Sequence, residues 1–361
     1  MTRRLAEVAT RVGVSEATVS RVLNGKPGVS DSTRQAVLTA LDVLGYERPT
    51  QLRGVRARLV GLVLPELQNP IFPALAEVAG GALVQLGFTP VLCTRTAGGL
   101  TEAEYVTMLL DQQVSGVVFC GGLSAEEYQQ LLGRGVPVVL LNAAVDYAGV
   151  RRDPQSSLLP GSRPGFPQVS TDDTAAVQQA YAHLTSLGHQ NIGLLVGPAD
   201  HTPSQRKIAA FRTLAARSGA TREQHRIGHA LFSFEGGQAV ASEMLAGGMT
   251  GLICGSDVLA LGAIRAARRM GLHVPNDVSV VGYDDSAFMN YTDPPLTTLR
   301  QPIEAMSRAA VTLLVNQISG NSPTPKELLH EPELVVRGST GPRTAPSPVE
   351  EAEQLTRTVT V

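Results

Sequence analysis

The stretch Leu5 to Asn24, LAEVATRVGVSEATVSRVLN, decides how the amino-terminal part of this chain folds. Gly13 divides it, because a residue without a Cβ atom adopts the positive φ of a tight turn at little cost. Ser15 then provides a good amino-terminal cap for a second helix. Before the turn, apolar residues follow the spacing of one helix face: Leu5, Val8, Ala9 and Val12. After the turn, the second helix would bury Val19, Val22 and Leu23 and expose Glu16, Ala17, Ser20, Arg21 and Asn24.

Two short helices joined by a glycine-containing turn are typical of a helix-turn-helix, whose second helix enters the major groove of DNA. An ordinary helical hairpin inside a hydrophobic core has the same pattern. The charge distribution favours DNA. Residues 1–58 contain ten Lys and Arg against five Asp and Glu, whereas the remainder contains twenty against twenty-seven. A basic head on an acidic body fits a head that meets phosphate groups.

A third helix follows a loop of turn-forming residues. Ser30 is a good cap for this helix, and Gly45 ends it. Its apolar stripe would complete a small core: Thr33, Ala36, Val37, Ala40, Leu41 and Leu44. We therefore predict an all-α DNA-binding domain over residues 1–47 and a basic hinge or linker over residues 48–58.

From residue 59 onward, short β-branched runs alternate with longer helical patterns. Apolar strands separated by helices predict parallel sheets that are covered on both faces, and their number predicts two α/β lobes. Ligands of such sheets bind outside the carboxyl ends of the strands. The strand-like runs are residues 59–65, 90–94, 116–120, 137–141, 192–196, 251–254 and 278–282, and helical patterns include residues 73–86, 101–113, 174–187 and 257–270.

Two segments depart from this alternation. Residues 143–167 are rich in Pro, Gly, Ser and Arg and predict a long loop. Residues 339–361 are polar and show no periodicity, so we expect a disordered tail there. The two-lobed domain would then span residues 59–338.

Composition excludes several classes of protein. No apolar run is long enough to cross a membrane, and the first residues lack a signal peptide, so we expect a cytoplasmic protein. Cys93, Cys120 and Cys254 stand in apolar runs, which indicates buried reduced thiols rather than a metal site or catalytic thiol. Phosphate loops, nucleophile elbows and metal-ligand spacings are all missing from the sequence. We therefore expect neither an enzyme nor a bound cofactor or metal.

Seven motifs, spread over most of the chain, carry a resemblance to a known family: VSEATVSRVLNG (14–25), VSDSTRQAVLTALDVLGY (29–46), NPIFP (69–73), LGHQNIGLLVGP (187–198), SDVLALGAIRAARRMGL (256–272), VPNDVSVVGYDD (274–285) and PPLTTLRQP (294–302). In these motifs the chain resembles the lactose-repressor (LacI/GalR) family of bacterial transcription regulators, and within it maltose-type regulators of high-GC bacteria. The resemblance implies a helix-turn-helix head, a hinge and a two-lobed core of the type I periplasmic-binding-protein kind. It also implies a homodimer that binds a palindromic operator in double-stranded DNA.

In this family the start of the second helix reads the edges of base pairs. A carboxylate at Glu16 can accept from cytosine, Ala17 can touch a thymine methyl group, and Arg21 can fork onto guanine. Glu16 could instead be a helix-terminal charge that suits the dipole. The remaining candidates on this helix suit contacts that position the head on the duplex: Ser15, Thr18, Ser20 and Asn24.

The hinge departs from the family pattern because the span from Tyr46 to Gly61 is shorter than usual. Family members insert a leucine from this segment into the minor groove, which kinks the duplex. Leu52 is the best candidate for that wedge and Val55 the second, although Leu52 could also be a plain linker residue.

The resemblance also places effector-binding residues at the ends of strands. Arginine is usual where this chain has Lys207, and lysine cannot make the planar two-pronged contact of arginine. Either Arg206 turns into the site, or the ligand is held differently. Asp257 and Asp285 could be helix caps, and Phe72 and Phe232 could be core residues. The full candidate set is Asn69, Phe72, Asp173, Arg206, Lys207, Phe232, Ser256 and Asp284.

The predicted function is a DNA-binding repressor of carbohydrate-utilisation genes that is released by a mono- or oligosaccharide bound between the lobes. The alternative is a corepressor-dependent regulator of the same fold, which answers to another metabolite or to a partner protein. A sugar-transport protein does not fit the basic head. Since the carboxyl-terminal residues contain no leucine heptads, we favour a dimer over a tetramer.

Overall fold

The computed structural model of the protein describes residues 2–23, 28–43, 58–94, 102–121, 135–143, 166–219, 221, 224–321 and 327–343. Contacts between Cα atoms divide the chain into two compact units. One consists of Met1–Leu59 with Gly87–Thr89, and the other of Val60–Leu86 with Pro90–Val361.

The described residues of the first unit form three helices: α1 (Thr2–Val12), α2 (Glu16–Leu23) and α3 (Asp31–Val43). Gly13 has a φ of +72°, which confirms the predicted turn. Both predicted caps form, since the Thr18 N–H donates to Ser15 Oγ (3.1 Å) and the Thr33 N–H to Ser30 Oγ (3.2 Å). The core of this unit consists of Val8, Ala9, Val19, Val22, Val37 and Ala40.

The stripe predicted for α3 is only partly right. Val37 and Ala40 are buried and Leu38 packs against them, but Ala36 is exposed. The side chain of Leu41, and Leu44 as a whole, lie outside the described residues.

After these three helices, the chain alternates strands and helices, as the sequence predicts. Its further helices are α4 (Ile71–Gln85), α5 (Glu102–Asp111), α6 (Asp173–Ser186), α7 (Thr202–Ser218), α8 (Phe234–Ala246), α9 (Asp257–Arg269) and α10 (Ile303–Ile318). The strands are β1 (Arg58–Leu64), β2 (Phe88–Thr94), β3 (Gly116–Cys120), β4 (Val138–Leu141), β5 (Gln168–Thr171), β6 (Ile192–Val196), β7 (His225–His229), β8 (Gly251–Cys254), β9 (Ser279–Asp284), β10 (Thr297–Arg300), β11 (Glu327–His330) and β12 (Glu333–Val335).

These strands form two six-stranded sheets, one in each lobe. The first sheet has the order β11-β5-β4-β3-β1-β2 and the second β12-β10-β9-β8-β6-β7. The registered pairs are parallel, except that β12 runs antiparallel to β10. Helix α10 packs on α4 beside the first sheet, and α6 packs on α7 beside the second. This arrangement confirms the two-lobed parallel fold.

Along its described strands, the chain passes between the lobes three times, after β5, after β10 and after β11. The backbone N–H of Asp172, in the first crossover, donates to the carbonyl of His330 at the third (2.8 Å). These crossovers adjoin the carboxyl ends of the strands, which is where ligands of parallel sheets bind.

The predicted start of a disordered tail at residue 339 is wrong. Ser339 is fully buried, where its hydroxyl donates to the Val280 carbonyl (2.6 Å) and accepts from the Thr297 N–H (2.8 Å). The Gly341 N–H donates to Ser279 Oγ (3.0 Å). These bonds extend the packed lobe to Arg343, and residues 344–361 lie outside the described part of the chain.

The predicted linker (48–58) and the predicted long loop (143–167) also lie mostly outside the described residues. Arg58 already belongs to β1, and residues 48–57 of the predicted linker are not among the described residues. Of the predicted loop, only Ala143, Phe166 and Pro167 are described, and all three are buried.

The three cysteines are buried free thiols, and burial raises the pKa of Cys120 to about 12. Within the described ranges, no cluster of three or more His, Cys, Asp and Glu side chains could hold a metal ion. The described helices also include none whose length and apolar character would let it span a membrane.

Candidate functional site

The exposed face of α2 carries the residues predicted to read DNA. Glu16, Ala17 and Arg21 are exposed, while Val19 and Val22 are buried against the other two helices. The i and i+3 spacing of a helix therefore separates a supporting face from a presenting face. Ser15 and Thr18 are joined by their hydroxyl groups (2.9 Å) at the cap, and Ser20 is half-buried. Asn24 and Leu52 lie outside the described residues.

A cavity of about 630 Å³ lies between the two lobes, at the carboxyl ends of the strands. Both sheets contribute to it, because their strand ends face each other across the crossovers. Seven residues of the predicted effector set lie on its wall: Asn69, Phe72, Asp173, Lys207, Phe232, Ser256 and Asp284. Their role as ligands of an effector stays a prediction.

Lys207 lies in a buried cluster on the second lobe. Its Nζ donates to Asp173 Oδ1 and stands 4.0 Å from the centre of the Tyr283 ring. The Tyr283 hydroxyl also donates to Asp173 Oδ1 (3.1 Å), and burial next to this carboxylate raises the tyrosine pKa well above its usual value. An ammonium group has three N–H donors, so Lys207 keeps donors beyond the one that Asp173 receives.

Asp284 has an unfilled hydrogen-bonding position. Its side chain is only 3% exposed, and its Oδ1 accepts from Gln301 Nε2 (2.6 Å). Its Oδ2 is buried and has no hydrogen-bond partner among the described residues. Burial and the nearby charge of Asp257 raise the pKa of Asp284 well above its usual value. Because leaving a buried polar atom unpaired is unfavourable, this oxygen is where a polar ligand would gain most.

The backbone around Asp284 is held in an unusual conformation. Asp284 has a φ of +119° and Asp285 a φ of +56°, which residues other than glycine rarely adopt. Asp285 pairs with Arg300 (2.7 Å) and with Arg337 (2.6 Å). These two ion pairs fix the loop that aims Asp284 at the cavity.

Neither Asp257 nor Asp285 is a helix cap, so that expectation is wrong. The cap of α9 is Ser256, whose Oγ accepts from the Leu259 N–H (3.2 Å). Asp257 is fully buried and accepts from the Ser286 N–H (2.7 Å) and from the hydroxyl of Thr298 (2.6 Å). It therefore ties the loop after β9 to the start of α9.

Phe232 and His201 form an aromatic wall on the second lobe. Their ring centres are 5.2 Å apart at an interplanar angle of 77°, an edge-to-face arrangement. The Phe232 ring lies over Gly197, where an added Cβ atom would come within 2.2 Å of it. Burial and the charge of Lys207 lower the pKa of His201 to about 4, so this wall is neutral at physiological pH. On the first lobe, Phe72 is half-buried and also lines the cavity.

The structure corrects the predicted position of Arg206. This residue does not line the cavity, because its guanidinium group forks onto the carboxylate of Glu327 (2.5 and 2.9 Å). Lys207 is therefore the basic residue of the pair that lies in the cavity.

The cavity includes residues that the sequence reasoning missed. His201 is not among the predicted site residues, although it lies only a few residues after β6. Tyr283 and Gln301 stand inside the quoted motifs VVGYDD and LRQP, so a signal was present. Thr171 joins them, because its hydroxyl donates to Gln301 Oε1 (2.6 Å). Thr171, Tyr283 and Gln301 lie at strand ends or directly after them, and His201 directly precedes α7.

Two families match the chain. Residues 4–49 match "Bacterial regulatory proteins, lacI family", and residues 181–340 match "Periplasmic binding protein-like domain". The first match covers the three-helix head, and the second covers most of the second lobe with α10 and β11.

Curated relatives match almost the whole chain. The transcriptional regulator reg1 of Streptomyces lividans is 52% identical over 351 residues, which cover 94% of this chain and 97% of reg1. The regulator MalR of Streptomyces coelicolor is 51% identical over 350 residues, with the same coverage of 94% and 97%. The name MalR agrees with the predicted resemblance to maltose-type regulators.

Solved structures show the same fold. The complex of the transcriptional regulator CelR with cellobiose has a TM-score of 0.67 at 31% identity, covering 93% of this chain and 99% of CelR. The lac repressor dimer bound to operator and the anti-inducer ONPF has a TM-score of 0.73 at 27% identity, covering 92% and 98%. Head, two-lobed core and relatives agree: the chain belongs to the lacI family of bacterial regulatory proteins and is a DNA-binding transcriptional regulator.

Proposed function

We propose that this regulator is a repressor of carbohydrate-utilisation genes whose affinity for its operator changes when a sugar binds between the lobes. One observation carries the proposal. The cavity wall holds Asp284 Oδ2, a buried carboxylate oxygen without a partner among the described residues, in a loop fixed by ion pairs. A sugar hydroxyl both donates and accepts hydrogen bonds, so it matches this oxygen whether or not the carboxyl group carries a proton.

The rest of the cavity suits a carbohydrate. Its volume of about 630 Å³ lies inside the range of small-molecule sites, roughly 300–1,000 Å³. Asp173 and Lys207 offer charged groups to neighbouring hydroxyls, and Asn69 and Ser256 offer neutral ones. Phe72 and Phe232 offer apolar surface from opposite lobes. Since Lys207 acts as a point charge, it would contact one hydroxyl where an arginine would span two.

We propose that α2 binds the operator. Exposed Glu16, Ala17 and Arg21 offer an acceptor, a methyl group and a two-pronged donor to base edges in the major groove. Contacts that position the head come from Ser15, Thr18, Ser20 and Asn24. We also propose Leu52 as the residue that enters the minor groove.

Exposed apolar side chains support a homodimer, which would match a palindromic operator. Phe288 and Tyr291, in the loop after β9, are 68% and 81% exposed. Val84, Leu86 and Leu92 are exposed at the first lobe, near β2 at the edge of its sheet. Exposed apolar surface of this kind marks protein–protein contacts, and two-fold symmetry is the commonest solution.

The switch requires only that the sugar binds the two arrangements of the lobes with different affinities. The test is fluorescence anisotropy with duplexes from the upstream region of the gene, titrated with mono- and disaccharides including maltose and cellobiose. We expect salt-sensitive binding of one duplex and its release by a sugar. Asp284→Asn should bind the duplex like the wild type and resist release.

Two other outcomes have clear meanings. A sugar that tightens duplex binding would make the protein a corepressor-dependent regulator. If no sugar changes duplex binding or raises the thermal stability of the protein, the sugar assignment fails, since a ligand that binds only the folded state must stabilise it.

A further inference from the structure

Arg206 and Glu327 join the two lobes. Arg206 lies on α7, beside the second sheet, and Glu327 is the first residue of β11, the edge strand of the first sheet. Two of the three guanidinium nitrogens are engaged, Nη1 with Oε1 at 2.5 Å and Nη2 with Oε2 at 2.9 Å. The two side chains are 31% and 24% exposed, so solvent screens the pair only in part.

The other ion pairs named above each lie within one lobe. Lys207 with Asp173, Arg300 with Asp285, and Arg337 with Asp285 all join residues of the second lobe. They shape one wall of the cavity. The Arg206–Glu327 pair instead joins the second lobe to the first, outside the cavity lining.

The position of the pair on α7 links it to the cavity. Arg206 and Lys207 are neighbours, and about 100° of helix rotation separates their side chains. One reaches the first lobe while the other lies in the cavity. A ligand that shifts α7 through Lys207 must therefore also shift Arg206 relative to Glu327.

We propose that Arg206 and Glu327 are a positioning pair for effector binding: they hold the two cavity walls at the spacing that the effector requires. Three crossovers join the lobes and allow several arrangements, so an ion pair that forms in one arrangement favours that arrangement. The inference rests on the proposed function in one respect, namely that the effector lies between the lobes.

The size of the effect follows from the geometry. Exposed ion pairs contribute little, whereas two parallel N–H···O bonds in a partly buried setting contribute more. We expect loss of the pair to weaken effector binding about three- to tenfold, and the effect to shrink at high salt.

The test uses the full chain and isothermal titration calorimetry with maltose and cellobiose as probes. Glu327→Gln should raise the Kd of the bound sugar about three- to tenfold at low salt. The exchanged pair, Arg206→Glu with Glu327→Arg, should restore the Kd to within about twofold. The control is Glu304→Gln, which removes the carboxylate of an Arg308–Glu304 pair within α10 (3.1 Å). It should leave the Kd unchanged.

A second measurement needs no ligand. Hydrogen exchange at the Asp172 N–H reports on the bond between the first and third crossovers. It should be faster in Glu327→Gln than in Glu304→Gln. If the sugars do not bind even the wild type, the proposed function fails while this arm still decides the positioning role. Unchanged exchange, or an unchanged Kd for a sugar that binds, would overturn the proposal.

Discussion

The DNA-reading face of α2 and the cavity between the lobes present their polar groups in opposite ways. On α2, Glu16 and Arg21 are exposed, and the packing beneath them comes from Val19 and Val22. In the cavity, Lys207 is already bonded to Asp173. Exposed polar side chains can bind the partner that approaches them from solvent. In the cavity, where most polar side chains are already hydrogen-bonded, a ligand is selected by the few polar atoms that still lack a partner. Mutations in the two regions should therefore have different effects, on duplex binding for α2 and on sugar binding for the cavity.

The largest expected effect separates the two regions. Val22→Asp places an unpaired carboxylate among Val8, Val19 and Val37 in the small core of the head. The cost, about 4 kcal/mol, is enough to unfold a domain of this size. We expect duplex binding in fluorescence anisotropy to disappear while calorimetry shows normal sugar binding. Gln35→Asp adds the same charge on the exposed side of α3 and should keep the helices folded. Loss of sugar binding as well would show that the cavity depends on the head.

The second largest effect tests whether the packing around Gly282 supports the cavity wall. In Gly282→Ala the new Cβ atom would lie 2.4 Å from Asp257 Oδ1 and 2.8 Å from the Leu296 side chain, both fully buried. Overpacking of this kind lowers the free energy of unfolding by up to about 3 kcal/mol. It should also weaken sugar binding, because Asp257 holds the loop that follows Asp284. Urea unfolding and calorimetry measure both changes.

The control for this substitution is Gly81→Ala on α4, where nothing lies within 4 Å of the new Cβ atom. That change should raise stability slightly, since alanine favours helix more than glycine does. Equal stability of the two variants would contradict the packing argument.

A smaller effect concerns the reading face alone. Arg21→Ala should weaken specific duplex binding by about 2 kcal/mol and relax the preference at one base pair. Anisotropy against the wild-type duplex and single-base variants measures this loss, and sugar binding should not change. Arg217→Ala removes the same charge from an exposed position near the end of α7 and serves as the control. Unchanged duplex affinity would remove α2 from its role as the reading helix.

The smallest effect concerns pH. His201 has its pKa lowered to about 4 in the folded protein, whereas an unfolded histidine titrates near its ordinary 6.5. Between pH 7 and 5 the unfolded chain therefore binds a proton that the folded chain does not, and stability falls by roughly 1–2 kcal/mol. Urea unfolding at both pH values should show a loss that is smaller in His201→Gln than in the wild type by about this amount. His183, His189 and His225, whose pKa values burial also lowers, titrate in both proteins.

The titration of Asp257 changes the stability with pH in the opposite direction to that of His201. Its pKa is raised to about 6, so its contribution to stability grows as the pH falls. It is present in both proteins, so the difference between wild type and His201→Gln isolates the histidine. An equal pH dependence in the two would show that His201 titrates normally in the fold.

Elements with strong local patterns could be predicted from the sequence. The buried strands β3, β6 and β8 were predicted to the residue because each is a continuous apolar run between turn residues. Five strands were not among the predicted runs: β5, β7, β10, β11 and β12. HRIGH (β7) and ELV (β12) are short, partly polar and at sheet edges, so their strand conformation comes from pairing with a neighbour.

Site residues divide in the same way. Asp284 is the last residue of β9 and Ser256 lies two residues after β8, so topology alone places them at the cavity. Arg206 and Lys207 are neighbours with the same charge, and no local pattern tells which one lies in the cavity. The choice is made by Glu327, which is 121 residues away along the chain.

The sequence by itself determined the helix-turn-helix head, the alternation of strands and helices, and the strand ends where a ligand would bind. These depend on periodicity and on caps, which act between residues a few positions apart. Only the tertiary structure decided the bonding within the cavity, the free oxygen of Asp284, the burial of Ser339 and the pairing of Arg206. Each of these depends on which distant side chain shares a low-dielectric space, where an unpaired polar group is costly and a matched partner is strongly preferred.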